Sequence, residues 1–223
     1  MFMNDKYLWK GEINPRKAIS MQKEMAENVK AYGEVIAPKY IAGIDIAVWR
    51  NINHAQAAIV VLKYPKLDIV EIKKATDEIT FPYIPGLLSF REIPLIIKAW
   101  EKLTIVPDVI IVDGHGYAHP RRIGIASHLG ILLDKPTIGC AKSKLCGVFD
   151  TPSDESGSFS NLIHNEEIIG VALRTKIRVK PVFVSIGHRI SLENAIYWVR
   201  QCCVGYRLPQ PTRLAHIAAG SNL

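Results

Sequence analysis

The stretch DVIIVDGHGYAHPRRIGIASHLG covers residues 108–130 and joins an apolar run to a carboxylate and a glycine. Four β-branched residues at 109–112 predict a buried strand with Asp113 at its C-terminal end. A second apolar run, 40–48, carries Asp45 within another predicted strand. Burying a lone ionised carboxylate there is costly, so the two aspartates together indicate a shared cation. Either one alone is equally well explained by a loop cap or an arginine partner.

Composition places the chain among ordinary globular proteins. The 223 residues, with 48% apolar and 22% charged side chains, fit one domain over 1–223. No apolar run approaches the roughly 18 residues that a membrane span needs, and residues 1–10 lack the apolar core of a signal peptide. Four cysteines without paired or zinc-like spacing predict free thiols in a reducing compartment. We expect a cytoplasmic monomer.

The net charge of +7 favours a polyanionic partner, but charge alone is weak evidence. The positions of the basic residues say more, because several lie within or near the segments that carry the candidate chemistry: Arg91, His119, Arg121, Arg122, Lys142 and Lys144. The alternating run Arg174–Lys180 suits the solvated edge of a strand.

Periodicity predicts the order of helices and strands. Helices are expected over 15–32, 87–103 and 121–133, then one capped by Ser191 and a short one after Pro211. Pro94 should end, kink or restart its helix. Strands are expected at 40–48, 55–64, 67–74, 108–112, 136–141, 167–174 and 181–186, with turns at 50–53 and 65–66 and a surface loop at 150–161. The first three form an antiparallel meander, and the later alternation predicts parallel crossovers.

This order resembles the ribonuclease H-like plan, an α/β fold whose mixed sheet has three antiparallel strands, then parallel strands, and flanking helices. In that plan the fourth strand lies beside the first, which brings Asp45 and Asp113 together with Glu92 leaning over them. Oxygen ligands with open positions suit Mg²⁺, or Mn²⁺ in its place, rather than zinc. Two such ions about 4 Å apart can activate a water and stabilise a leaving 3′ oxygen. Phosphodiester hydrolysis is the natural chemistry.

Two further residues, Glu92 and His216, become candidate site residues only because the two aspartates are present. Glu92 follows Arg91 and on its own would be taken for a solvated ion pair. His216 on its own would be an ordinary surface or core histidine, but it could be a ligand or a proton-transfer group if the last helix folds back over the site.

Residues 81–86, FPYIPG, place an aromatic and an isoleucine between two prolines. A stiff apolar projection of this kind, formed by Pro82, Tyr83, Ile84 and Pro85, can be inserted between base steps of a duplex. The alternative is a tight turn with Tyr83 packed into the core. The position just before Glu92 favours the wedge.

Together these motifs resemble the endonuclease V family of deoxyinosine-directed repair nucleases. The matching segments span nearly the whole chain in the family's order: Ala42–Asp45, Pro82–Glu92, Val112–Gly116 with His119–Arg122, Gly139–Lys142, and Gly205–Pro209 with Pro211–Arg213. The long blocks Pro82–Glu92 and Asp113–Arg122 are highly specific.

The resemblance implies a metal-dependent endodeoxyribonuclease acting on DNA that contains deoxyinosine or other deaminated bases. It would cut the second phosphodiester bond 3′ to the lesion, leaving 3′-OH and 5′-phosphate ends. The alternative within the family is an inosine-specific ribonuclease acting on RNA, and the sequence leaves this preference open.

The resemblance also implies roles for individual residues. Asp45, Asp113 and Glu92 are the metal ligands that it implies, and His216 and Lys142 complete the catalytic site. Some family members have an aspartate where His216 stands. Tyr83 matches the wedge, and the phosphate contacts are expected from Arg91, His119 and Lys142. A flipped lesion base would enter a pocket formed by Gly86, Leu88, Gly114, Gly124 and Ile125.

Two rival functions remain at this point. Another ribonuclease H-like nuclease, such as a hybrid-specific ribonuclease or a junction resolvase, shares the acids but has no need of residues 82–85. A non-catalytic binder of inosine or mismatches has no need of the three acids.

Overall fold

The computed structural model describes residues 5–9, 13–49 and 53–221. Its strands are β1 (Tyr40–Trp49), β2 (His54–Lys63), β3 (Asp68–Glu78), β4 (Val109–Val112), β5 (Thr137–Ala141), β6 (Phe159–His164), β7 (Glu167–Leu173) and β8 (Val182–His188). Its helices are α1 (Pro15–Ala26), α2 (Leu88–Trp100), α3 (Ile125–Leu133), α4 (Leu192–Gln201) and α5 (Gln210–Gly220), preceded by a 3-10 turn at Asp5–Tyr7.

The described strands form one mixed sheet in the order β3-β2-β1-β4-β5-β8-β7-β6. The meander β1-β2-β3 is antiparallel, and β4 pairs in parallel with both β1 and β5. The predicted ribonuclease H-like fold class is therefore confirmed. Beyond β5 the sheet continues through antiparallel β8, β7 and β6. Most of the predicted turn at 50–53 lies outside the described residues.

Both faces of the sheet are covered by helices. Ala42 and Ile44 of β1 pack into a core with α1, α2 and α3, whereas Ile41 packs into the core of α4 and α5. Because side chains alternate along a strand, Asp45 shares the face of Ile41. The first carboxylate therefore points toward α5.

Two predicted helices are too long at one end. The first stops at Ala26 instead of residue 32, because the next residues bond elsewhere: Arg189 donates to the Lys30 carbonyl and Ser191 to that of Gly33. The third begins at Ile125 instead of residue 121, because Arg122 has a left-handed backbone (φ 59°) that a helix cannot contain.

Helix α2 runs through Pro94, so this proline neither ends nor restarts the helix, and a kink there stays a prediction. Two other expectations need correction. The predicted loop 150–161 gives way at residue 159 to β6, a strand with a single buried residue. The run Arg174–Lys180 is a turn after β7 and not a strand edge. Arg174 itself is buried, and its guanidinium donates to the carbonyls of Pro152 and Ser153.

All four thiols are free, as predicted. None of the described helices combines the length and apolar character needed to cross a bilayer.

Helix α5 crosses β1 at Gly43, where the two backbones nearly touch. A Cβ atom at Gly43 would lie 2.0 Å from the carbonyl oxygen of Pro211, far inside any real contact. This close approach requires glycine, and it sets the height of α5 above the sheet.

We expect Gly43→Ala to lower the free energy of unfolding by about 1–3 kcal/mol, because the added methyl group must push α5 away from β1. The measurement is urea denaturation followed by circular dichroism. The control is Gly220→Ala, whose Cβ meets nothing within 4 Å. If Gly43→Ala proves as stable as the control, the two backbones are not in contact as described.

A candidate metal centre beside an apolar cavity

The parallel pairing of β1 with β4 brings Asp45 and Asp113 side by side. Ile44 pairs with Val112, and the N–H of Asp113 donates to the Ile44 carbonyl at 2.9 Å. Each aspartate thus stands one residue beyond the last paired position. One ligand atom from each aspartate and one from His216 all lie within 4.8 Å of one another. Two carboxylate oxygens and one imidazole nitrogen suit a divalent cation.

His216 reaches the aspartates because α5 is seated on β1. Its Nδ1 lies 2.6 Å from Oδ2 of Asp45. The aspartate side chain is 11% exposed and the histidine side chain 59% exposed. The histidine is therefore neither an isolated surface residue nor a core residue, but covers the mouth of the acidic site.

The carboxylates oppose one another electrostatically. Burial, followed by repulsion from Asp113, raises the pKa of Asp45. Burial, followed by the charge of Asp45, raises the pKa of Glu92 to about 8. Glu92 lies outside the group of three ligand atoms and lines a neighbouring cleft with Tyr83 and Arg91. A divalent cation bound at the three ligand atoms would lower the pKa of Asp45 and of Glu92, because its positive charge favours the ionised carboxylates.

Lys142 supplies the nearest positive charge. Its Nζ lies 2.5 Å from Oδ2 of Asp113 and 3.4 Å from Nδ1 of His216. The expected catalytic lysine is therefore at the carboxylates.

Two residues without a predicted role hold the backbone around Lys142. The guanidinium of Arg207 donates to the carbonyl of Lys142 at 2.6 Å, and it also bonds the carbonyls of Lys180 and Pro181. The Nε2 of His115 donates to the carbonyl of Ser143 at 2.9 Å. Both lie inside motifs that the sequence singled out, but spacing alone does not indicate which carbonyl a side chain reaches.

The segment before α2 forms a braced turn with an exposed aromatic. Leu87 N–H donates to the Ile84 carbonyl at 2.9 Å, and Gly86 has φ +79°, as in a type II turn with Pro85 at its second position. Tyr83 is 67% exposed, which excludes the alternative of a core tyrosine. Pro82 and Pro85 are also exposed, and only Ile84 packs against the core.

A cavity of about 130 Å³ lies beneath this turn. All five residues expected around a lesion base line it: Gly86, Leu88, Gly114, Gly124 and Ile125. Tyr83 stands at the same cavity. Since a water molecule needs only about 10–15 Å³ of such volume, a flat ring can enter.

The helices α2 and α3 both begin at this cavity. Neither has a side-chain cap at its N-terminus, where Leu87 and Gly124 precede the first turns. The first N–H groups of a helix have no partner within the helix. Phe90 N–H donates to the Leu87 carbonyl and Ala126 N–H to that of His115. The other first-turn N–H groups are the main-chain donors that the cavity can offer, in a lining that is mostly apolar but includes the polar side chains of Gln22, Ser89, His115 and His119.

The three expected phosphate contacts have different positions. Lys142 is at the carboxylates and Arg91 is in the cleft with Glu92. His119 is 3% exposed; its Nδ1 accepts from Arg121 N–H and its Nε2 donates to the Gly86 carbonyl. Burial, then the charge of Arg121, lowers the pKa of His119 to about 4. With both nitrogens bonded, the neutral His119 positions the loop, and its expected phosphate contact stays a prediction.

Comparison with known proteins identifies the family. The family model of endonuclease V matches residues 23–217. An endonuclease V from Dehalococcoides mccartyi is 49% identical over 214 residues, covering 96% of each chain. The crystal structure of endonuclease V from Streptomyces avermitilis superposes with a TM-score of 0.89 at 39% identity, covering 93% of this chain and 92% of that one. Endonuclease V from Ciona intestinalis, in complex with a 24mer DNA containing an inosine followed by a ribo-adenosine, is 29% identical with a TM-score of 0.80, covering 92% and 95%. The chain belongs to the endonuclease V family.

Proposed function

We propose that this protein is a repair endonuclease that recognises deoxyinosine, and other deaminated bases, and hydrolyses the second phosphodiester bond 3′ to the lesion. The products would carry 3′-OH and 5′-phosphate ends. The observation that carries the proposal is the juxtaposition of a base-sized cavity with the acidic cluster: Gly114 lines the cavity and follows Asp113, a candidate ligand. Inosine-containing DNA bound by the Ciona relative supports the choice of lesion.

The donors at the cavity explain how hypoxanthine would be distinguished from adenine. Hypoxanthine presents two acceptors, O6 and N7, where adenine presents an acceptor and an amino donor. Main-chain N–H groups at the starts of α2 and α3 would pair with the acceptors but would oppose the amino group of adenine. Guanine presents the same two acceptors, so these donors separate hypoxanthine from adenine and not from guanine.

The candidate metal centre supplies the chemistry. Asp45, Asp113 and His216 would hold the ion, with Glu92 as a further acid close by; Mg²⁺ is the expected ion and Mn²⁺ could replace it. When bound, such an ion activates water and stabilises charge on the leaving oxygen. Lys142 provides a positive charge for the phosphate oxygens, and Arg91 provides a second one along the adjoining cleft.

The exposed turn completes recognition. If the lesion base occupies the cavity, the base leaves a gap in the base stack of the duplex, and Tyr83 lies beside that gap. Its ring can fill that gap, and the two flanking prolines limit the conformational entropy lost in doing so.

We expect Mg²⁺ or Mn²⁺ to raise the melting temperature of the protein, since saturation at a hundred times Kd adds about 2.7 kcal/mol. Asp45→Asn should abolish this rise while raising the melting temperature of the metal-free protein, because it removes a buried charge that Asp113 repels. Asp68→Asn, at an exposed acid of β3, is the control and should keep the rise. A metal-induced rise in Asp45→Asn equal to that of the wild type would contradict the metal site.

Duplexes that carry one deoxyinosine and a labelled end should be nicked at the second bond 3′ to the lesion, and only with a divalent metal. Asp45→Ala and Asp113→Ala should each reduce the rate by more than about a hundredfold, because each removes a candidate ligand. Cleavage of an undamaged RNA–DNA hybrid would favour the rival ribonuclease H-like nuclease. Binding of inosine-containing duplex without cleavage would favour the non-catalytic binder. Faster cutting of inosine-containing RNA would redirect the proposal to RNA.

Tyr83→Ala should weaken discrimination between inosine-containing and undamaged duplex by roughly tenfold to a hundredfold, since stacking on a base is worth about 1–3 kcal/mol. Inosine in single-stranded DNA should be affected less, because less unstacking is needed. Single-turnover rates on the three substrates measure this effect. Tyr32→Ala, at a tyrosine that is 69% exposed, is the control. Full discrimination by Tyr83→Ala would exclude the wedge.

A further inference from the structure

The carbonyl of Gly86 is the meeting point of three hydrogen-bond donors. Gln22 Nε2 lies 2.9 Å from this oxygen, Arg121 NH2 2.7 Å and His119 Nε2 3.0 Å. A carbonyl oxygen has two lone pairs, so its acceptor capacity is fully used. The other end of the same peptide group is also fixed, because Leu87 N–H donates to the Ile84 carbonyl.

Gln22 links this turn to the rest of the cavity. It lies on α1, is 1% exposed and lines the cavity wall. Its Nε2 also lies 3.4 Å from the carbonyl of Ile123, in the loop before α3, and its Oε1 accepts from Arg121 Nε at 2.5 Å. Because a guanidinium only donates, the orientation of the Gln22 amide is determined.

The brace also depends on glycine at position 86. A Cβ there would lie 2.9 Å from Arg121 NH2 and 3.4 Å from His119 Nε2, and the positive φ already disfavours other residues. The donors therefore approach the turn from the side that a side chain would occupy.

We propose that Gln22 is a positioning residue that, with Arg121, fixes the turn carrying Tyr83 in register with the cavity. This inference rests on the proposed function and extends it from the residues that would touch the lesion to one that holds them in place. Tyr83 is exposed and cannot be oriented by core packing, so its direction depends on the turn behind it. Preorganisation of the turn lowers the entropy lost when a duplex is opened.

The test compares two variants of Gln22 with a matched control. Gln22→Met keeps the length of the side chain and removes its hydrogen bonds. Gln22→Glu keeps an acceptor for Arg121 but places an oxygen against the Gly86 carbonyl. Gln201→Met, at an exposed glutamine of α4, makes the same chemical change away from the cavity.

Hydrogen exchange of the free protein, read by mass spectrometry, measures the turn without any substrate. Both Gln22 variants should exchange amides in 83–89 at least tenfold faster than the wild type, with unchanged exchange in the central strands. Gln201→Met should match the wild type. Unchanged exchange in 83–89, or faster exchange throughout the chain, would overturn the proposal.

Steady-state cleavage with Mg²⁺ measures the consequence for recognition. Gln22→Met should lower kcat/KM on duplex deoxyinosine at least tenfold, mainly through KM, and on single-stranded deoxyinosine less than threefold. Equal losses on both substrates would mean that Gln22 acts on chemistry or stability, and would overturn the positioning role. If the wild type itself shows no preference for inosine, the proposed function fails, while the exchange measurement still decides whether Gln22 fixes the turn.

Discussion

The close approach of two carboxylates at the end of a parallel strand pair is the constraint on which the site depends. Pairing of Ile44 with Val112 leaves Asp45 and Asp113 adjacent and nearly buried, so the fold brings together two charges that repel each other. Antiparallel pairing would have placed Asp45 and Asp113 at opposite ends of the paired segments of β1 and β4. The parallel order of the central strands is thus a requirement of the site as well as a feature of the fold.

The neighbouring elements respond to that pair of charges. Helix α5 lies against β1 at Gly43, which brings His216 to Asp45. The end of β5 delivers Lys142 to Asp113, and the lysine's backbone is held by Arg207. Each contact supplies a ligand atom or a positive charge from a different part of the chain. The acidic pair is therefore stabilised by tertiary contacts together with one local bond, from Ile46 N–H to Oδ1 of Asp45 at 2.8 Å.

Much of this arrangement could be predicted because its signals are local. An apolar run ending in Asp113, or interrupted by Asp45, is visible without knowledge of the fold, and the order of elements indicated which strands pair. Strand β6 was missed because an edge strand with one buried residue has no clear alternation. The start of α3 was misplaced because nothing in an arginine-rich stretch marks the left-handed conformation of Arg122.

The side chains that hold the site together were beyond sequence reasoning for a different reason. Gln22 lies 64 residues from the carbonyl that it bonds, and Arg207 lies 65 residues from its own. Polar side chains bonded to main-chain carbonyls leave no periodicity and need no charged partner, so spacing carries no trace of them. His119 shows the same limit, because nothing in its motif indicates that its Nε2 bonds to the carbonyl of Gly86.

A protein that must present an exposed aromatic in a fixed direction cannot rely on apolar packing to hold it. Burying Tyr83 would orient the ring but remove it from any partner. The structure instead fixes the backbone behind the ring, with two prolines that restrict the chain and polar donors that saturate the Gly86 carbonyl. Hydrogen bonds are directional where apolar contacts are not. These polar contacts also require glycine at position 86, because a Cβ there would lie 2.9 Å from Arg121 NH2 and 3.4 Å from His119 Nε2.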